Sequence, residues 1–270
     1  MDAQTTEPIV LTQAQIDFYH EQGYLSLPAI TSAEEIDWLR EIYDRLFASR
    51  AGRENGDQFD LGGTDEEGKP ATLPQILNPP RYAPELKTAR FRANAEAIAR
   101  QLLGPEARHQ GEHAIFKPPF SGAPTPWHQD EAYWGAEYEH NAMSFWIPLQ
   151  PATLENGCMQ FIPGSHRLPV QPHHSIGHDP RVHGLEVDEV DASGAVACPL
   201  PAGGCTIHHN RTFHYAGPNR SAIPRRAYIS GFGLPPRRLE VARDFYWNRM
   251  KITAREERAK AVANQNPAKA

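Results

Sequence analysis

The sequence predicts a mainly β protein with flanking α-helices, built as a jelly roll or cupin-like barrel, and three observations carry that prediction. Helical periodicity is confined to the first third of the chain. From Glu112 onward the pattern changes to short apolar or alternating runs bounded by Pro, Gly and Asn: HAIFK, AMSFWIPL, CMQFIP, GGCTIHH and RAYISGFG. The 25 prolines and 20 glycines sit mainly between residues 117 and 236, where frequent breakers favour short strands and turns. We therefore expect one domain over 1–270, with helical support from 11 to 104, a β core from about 112 to 235 and a tail from about 251 to 270.

The elements follow in order. Thr12, three residues before Gln15, forms a capping-box pair that opens a helix over Leu11 to Gln22, and Gly23 stops it. GYLSLP reads as a strand. Ser32, with Glu35 three residues on, opens a second helix whose Ile36, Leu39, Ile42, Tyr43 and Leu46 recur at spacings of three and four. Residues 50–72 are rich in Gly, Asp and Glu without periodicity and read as a mobile loop, a lid or an insertion. Lys87 to Leu103 is helical again, with Phe91, Ile98 and Leu102 on one face and Gly104-Pro105 as its end. The tail after Lys251 is polar and Ala-rich and reads as frayed.

A net charge of −6 with scattered basic residues argues against a nucleic-acid footprint. No run approaches the ~20 apolar residues that span a bilayer, and the first residues lack a leader pattern. A soluble, cytoplasmic protein acting on a small molecule is the expectation, with oligomeric state unreadable. Cys158, Cys198 and Cys205 are odd in number and lack C-x-x-C spacing, so they read as reduced packing residues.

Three segments hold the chemistry: PWHQDEAYW, FWIPLQPATLENGCMQFIPGSH and HHNRTFHYAGPNRSAIPRRAYISGFG. In the first, His128 and Asp130 are two apart, so on a strand both side chains point to one face and can meet one ion. A third His completes a 2-His-1-carboxylate facial triad, which leaves three positions of an octahedron open. Alone the pair is weak, because a chain with 13 histidines yields it by chance readily. His214, after the strand CTIHH, supplies the third ligand, with His208 and His209 as competitors. Arg225 opens the next strand; a guanidinium there pairs bidentately with the distal carboxylate of a dicarboxylate cosubstrate. Its bland alternative is a surface ion pair. Tyr133, Trp134, Tyr138 and Trp247 are candidates for the substrate pocket, and equally for packing.

WHQDEAYW, ENGCMQFIPGSH and FHYAGPNRSAIPRRA resemble the phytanoyl-CoA dioxygenase family of Fe(II)/2-oxoglutarate oxygenases, as do FYHEQGYLSLP and LPQILNP, so the likeness runs from about residue 11 to 234. The resemblance implies a double-stranded β-helix, with Fe(II) on His128, Asp130 and His214 and with 2-oxoglutarate and O2 as cosubstrates. It also implies that 2-oxoglutarate meets an Arg eleven positions after the distal His, which is Arg225, with Arg226 as runner-up. Trp146, Gln129 and His113 are carried over as cofactor-binding positions. Halogenating members have a small residue in place of the Asp; this chain keeps Asp130, so hydroxylation or a related oxidation, such as desaturation or cyclisation, is implied. A small organic molecule, such as a natural-product intermediate, is the expected substrate. The competing readings are a metal-dependent cupin enzyme that does not use 2-oxoglutarate and a non-catalytic metal-binding barrel.

Overall fold

A computed structural model describes residues 8–265. Its centre is a seven-stranded sheet facing a four-stranded one. The large sheet runs, in spatial order, Tyr24–Leu27, Cys205–His209, Ala142–Pro148, Arg225–Gly233, Arg108–Lys117, Pro74–Leu77 and Gln58–Asp60. The small sheet runs Val196–Cys198, Met159–Phe161, His214–Ala216 and Thr125–His128. The pairings within both sheets are antiparallel, the jelly-roll arrangement that the strand pattern predicts.

Alternation along the central strands divides the large sheet into two faces. Met143, Phe145 and Ile147, with Ile207, Ala114, Tyr228 and Phe232, join one apolar cluster with the helices Gln13–Gln22, Ala33–Ala48 and Arg90–Leu103. Trp146, Ala227 and Ile229 join a second cluster with Met159, Phe161 and Ala216 of the small sheet. Because both faces are covered, Ala142–Pro148 is buried at every residue. Its sequence reads as a continuous apolar run for that reason.

The helices form where capping and periodicity place them. Thr12 and Gln15 make a reciprocal capping box, and Gly23 closes the first helix at φ 79°, a left-handed cap that favours glycine. Ser32 caps the second helix, and its Ile36, Leu39, Ile42, Tyr43 and Leu46 are all buried. Truncating Leu39 to Ala there would cost roughly 2–5 kcal/mol. Glu35 does not close a capping box; it accepts instead from the backbone N–H groups of Arg90 (2.6 Å) and Phe91 (3.0 Å), fixing the start of the third helix. That helix begins at Arg90 rather than Lys87, after a 3-10 turn over Pro84–Thr88.

Three expectations need correction. Tyr24–Leu27, Gln58–Asp60 and Pro74–Leu77 belong to the large sheet, so the segment 11–104 is not purely helical support. Residues 50–72 are packed rather than an open loop. The Asp60 carboxylate accepts from the backbone N–H groups of Gly62, Thr72 and Leu73, while Arg53 and Arg258 both pair with Asp65. An acidic, unperiodic sequence gave no sign of these partners because one of them lies 193 residues away. The tail, for the same reason, is not frayed: Ala254–Gln265 is helical and Arg258 anchors it. Residues 266–270 lie outside the described residues.

Candidate active site

His128 ends the strand Thr125–His128 and Asp130 begins a 3-10 turn over Asp130–Tyr133. Between them Gln129 is extended (φ −121°, ψ 130°), so the side chains of 128 and 130 share a face. His214 opens the neighbouring strand, His214–Ala216, with its Cα paired to that of His128. Asp130 Oδ1 lies 3.7 Å from His128 Nε2 and 3.4 Å from His214 Nε2. One donor atom from each residue falls within 4.8 Å of the others, a set that could hold one metal ion.

Each ring's other nitrogen is already committed. His128 Nδ1 donates to the Pro126 carbonyl at 2.7 Å and His214 Nδ1 donates to the Thr212 carbonyl at 2.9 Å. In the neutral rings, both Nε2 lone pairs therefore face an acceptor-only carboxylate, an arrangement that repels unless a cation lies between. Burial, with His214 alongside, pushes the His128 ring down to about 3, so it is neutral at pH 7. Burial works to raise the Asp130 carboxyl, but His214 and His208 outweigh it and hold the group well below the usual carboxylate range. A neutral imidazole at His128 and an ionised carboxylate at Asp130 are protonation states that a divalent ion requires.

The second Asp130 oxygen, Oδ2, is held separately. Ser144 Oγ donates to it at 2.7 Å and His208 Nε2 lies 3.3 Å away. Ser144 and His208 reach it because both occupy the inward face of the large sheet. His208 thus stands beside the triad but outside it, with Nδ1 buried and unpartnered. His209, the other competitor, faces the opposite way and packs against His166. Ser144 was not singled out from the sequence; its inward parity with Trp146 was the available signal.

A cavity of about 500 Å³ opens beside the triad. Arg225 is 1% exposed, and its Nε and Nη1 atoms have no partner. The guanidinium lies over the Trp146 ring, 5.3 Å from its centroid, and burial pulls it down to about 10, still protonated at neutral pH. A buried, unpaired cation is costly, and a site built this way calls for an anion. Arg226, one residue on, points outward and pairs with Asp44. Beneath Arg225 the fully buried Lys117 has its donors spent on the carbonyls of Ala123, Ala216 and Gly217. Asn219 binds the carbonyls of Lys117, Pro118 and Ile223, which accounts for the GPN turn that spaces His214 from Arg225.

Trp146 and His113 line the cavity, and burial pushes the His113 ring down to about 4. The expectation for Gln129 is overturned. Its side chain is fully buried away from the cavity, donating to the Arg211 carbonyl and accepting from Gln171 N–H. The parity that unites 128 and 130 is what turns 129 the other way. Tyr133 and Trp134 do line the cavity, whereas Trp247 packs under the turn, donating from Nε1 to the Ala132 carbonyl at 2.9 Å. Tyr138 is not among the lining residues. Glu131, also fully buried, is neutralised by Arg243 at 2.9 Å and anchored by Asn210. His140, His183, Gln75, Asn78 and Gln110 also line the cavity, as does Glu112, which is paired with Arg92, and none of these was legible in the sequence.

The sequence model of the family described as phytanoyl-CoA dioxygenase (PhyH) matches residues 19–227. The chain belongs to the phytanoyl-CoA dioxygenase family. As a member it is an Fe(II)/2-oxoglutarate-dependent dioxygenase. Among solved structures, EvdO2 from Micromonospora carbonacea var. aurantiaca, complexed with 2-oxoglutarate, is similar at 38% identity and TM-score 0.77 over 89% of this chain and 98% of that one. The non-heme alpha-ketoglutarate-dependent carbocyclase SnoK from nogalamycin biosynthesis is similar at 25% identity and TM-score 0.67, over 85% and 88%. A probable alpha-ketoglutarate-dependent hypophosphite dioxygenase of Stutzerimonas stutzeri is 28% identical over 79% of this chain and 76% of its own length. The residues present fit both the metal and the cosubstrate: two histidines and an aspartate that present donor atoms to one point, and a buried guanidinium whose Nε and Nη1 have no protein partner beside the same cavity.

Proposed function

We propose that His128, Asp130 and His214 hold Fe(II), that Arg225 holds 2-oxoglutarate, and that the enzyme hydroxylates or otherwise oxidises a small organic molecule lacking an anionic handle. The unpaired Arg225 guanidinium carries this reading. Iron, 2-oxoglutarate and O2, when bound, supply oxidation of a substrate C–H bond with release of succinate and CO2.

The chain's own residues supply placement and exclusion. His128 and His214 present Nε2 because Pro126 and Thr212 fix their tautomers. Ser144 and His208 engage Asp130 Oδ2, leaving Oδ1 as the free ligand atom. Arg225 takes the C5 carboxylate of 2-oxoglutarate bidentately, with the Trp146 face restricting how the guanidinium sits. Aromatic and neutral polar side chains, including Trp134, Tyr133, Gln75 and Asn78, line the remaining space, where a bound substrate would displace water.

The substrate follows from what lines the cavity. Arg225 is its one Lys or Arg among the described residues, and 2-oxoglutarate consumes it. A CoA thioester or a phosphorylated molecule would need further cations, so we favour a free, uncharged compound. Kinship with oxygenases such as SnoK, from nogalamycin biosynthesis, supports a natural-product intermediate. The test is succinate release from 2-oxoglutarate by anaerobically iron-loaded protein exposed to air, over a panel of substrates. Release by the wild type and its loss in His214→Ala support the reading. Bound iron without any binding of 2-oxoglutarate would replace it with a cupin reaction that does not use this cosubstrate.

A further inference from the structure

A second cluster of metal-binding side chains stands on the outer surface of the short hairpin formed by His174–Ser175 and Leu185–Glu186. His174 pairs in register with Glu186, and alternation puts Glu186 and Asp188 on the same outer face. On the other side of the hairpin, Leu185 is buried against Phe245 and Trp247. The chain then takes left-handed backbone at Gly177 (φ 65°) and at His178 (φ 55°), a conformation that a non-glycine residue rarely adopts. This turn brings the His178 ring face to face with His174, 3.6 Å between centroids and 10° from parallel.

Three ligand atoms converge in this arrangement. His174 Nδ1 lies 2.8 Å from the Ser175 carbonyl, to which it donates. In the neutral ring the lone pair is therefore on Nε2, and Nε2 lies 2.8 Å from Asp188 Oδ1, which only accepts. His178 Nε2 approaches the same oxygen at 3.2 Å. The two stacked rings thus bring both Nε2 atoms to one carboxylate oxygen, which places three ligand atoms around a single point. Among the described residues no Lys or Arg pairs with Asp188. A divalent cation meeting both Nε2 atoms and Asp188 satisfies all three groups with neutral imidazoles.

We propose that His174, His178 and Asp188 form a second metal site, for a borderline divalent cation of the zinc type, distinct from the buried triad. Imidazole and carboxylate ligands match such ions, and the exposed side leaves positions for water. The site also has a route to the first. His173, adjacent to His174, accepts from the backbone N–H of Gln129 at 3.1 Å, between His128 and Asp130. Val187 N–H donates to the Trp127 carbonyl at 3.2 Å.

The experiment is a zinc titration of the chelator-stripped full chain, with bound metal counted by elemental analysis and affinity by calorimetry. Wild type is expected to bind two Zn²⁺ per chain. His178→Ala and Asp188→Asn are expected to bind one with unchanged affinity, and the other at least about 10–100-fold more weakly. His214→Ala is expected to keep the outer ion, and its Tm is expected to rise with zinc; the double variant His178→Ala/His214→Ala should show neither. His178→Ala and Asp188→Asn, which alter only the outer cluster, leave iron-loaded turnover unchanged. Binding of a single zinc by wild type, or of two with unchanged affinity by His178→Ala, overturns the proposal.

Discussion

Two clusters in this chain use the same donors, two histidines and an aspartate, and the same local device, a ring Nδ1 donated to a nearby backbone carbonyl so that Nε2 faces a carboxylate. They differ in what surrounds them. The inner cluster is buried, its carboxylate has a second oxygen held by Ser144 and His208, and a cavity with an unpaired Arg225 opens beside it. The outer one has two exposed ligands, His178 and Asp188, and no cavity among those described. Ligand chemistry can hold an ion at both places. Only the inner place stands beside a cavity with a buried, unpaired guanidinium, which is why we assign the oxidation to it.

The largest effect that sharpens the contrast comes from the inner ligands. Asp130→Ala should lower 2-oxoglutarate-dependent succinate release by more than about 100-fold, the upper range for weakening a metal site. The same assay on His178→Ala should stay within about twofold of wild type, and a loss comparable to that of Asp130→Ala would erase the distinction between the clusters.

Arg225→Met separates binding from stability. Removing one partner of a buried charge pair costs about 2–5 kcal/mol, at least about 30-fold in 2-oxoglutarate affinity. Without 2-oxoglutarate, however, the same change removes an unpaired buried charge, so Tm should hold or rise. Calorimetry with and without the cosubstrate reads both numbers, and a fall in Tm without 2-oxoglutarate would show that Arg225 has a partner in the free protein. Arg226→Ala, on the outward face, should change neither by more than about 0.5 kcal/mol.

Loosening Asp130 should give a smaller effect than deleting it. Ser144→Ala and His208→Phe are each expected to weaken iron binding roughly 10–100-fold by freeing Oδ2, measured by competition with a chelator. Unaltered affinity in both would mean that the carboxylate is oriented by the strand alone.

Acid should weaken the fold in a predictable window. Burial, the leading cause in each, pushes His209 to about 3 and both His113 and His173 to about 4. A depressed histidine binds fewer protons folded than unfolded, so its contribution is complete above the unfolded value near 6.5 and is lost as pH falls toward 3–4. Each ring contributes up to about 1.4 kcal/mol per pH unit in that window. Denaturant melts from pH 7.5 to 4.5 should show the decline, and His209→Phe should flatten its slope whatever it does to absolute stability.

How much of this was legible depends on whether the partners are close in sequence. Thr12, Ser32 and Gly23 are read locally, and the caps appear where they stand. His128 and Asp130 are two apart, and strand parity alone puts them on one face. The same parity was available for Gln129 and predicts that it points away, as it does; the likeness to the family carried it toward the cosubstrate instead. Gln58–Asp60, Asp60 with Thr72, and Arg258 with Asp65 were hidden because strand pairing and ion pairing join segments that share no periodicity. His208 was visible as a histidine next to a strand end, but its contact with Asp130 depends on the register between Cys205–His209 and Ala142–Pro148. Register is a property of the folded sheet.

The most direct measurement is an anaerobic crystal structure of the iron-loaded protein with 2-oxoglutarate. The account predicts iron bonded to His128 Nε2, Asp130 Oδ1 and His214 Nε2, and the C5 carboxylate paired with Arg225. Iron on a different set of side chains, or 2-oxoglutarate seated with Arg225 still unpaired, would contradict it.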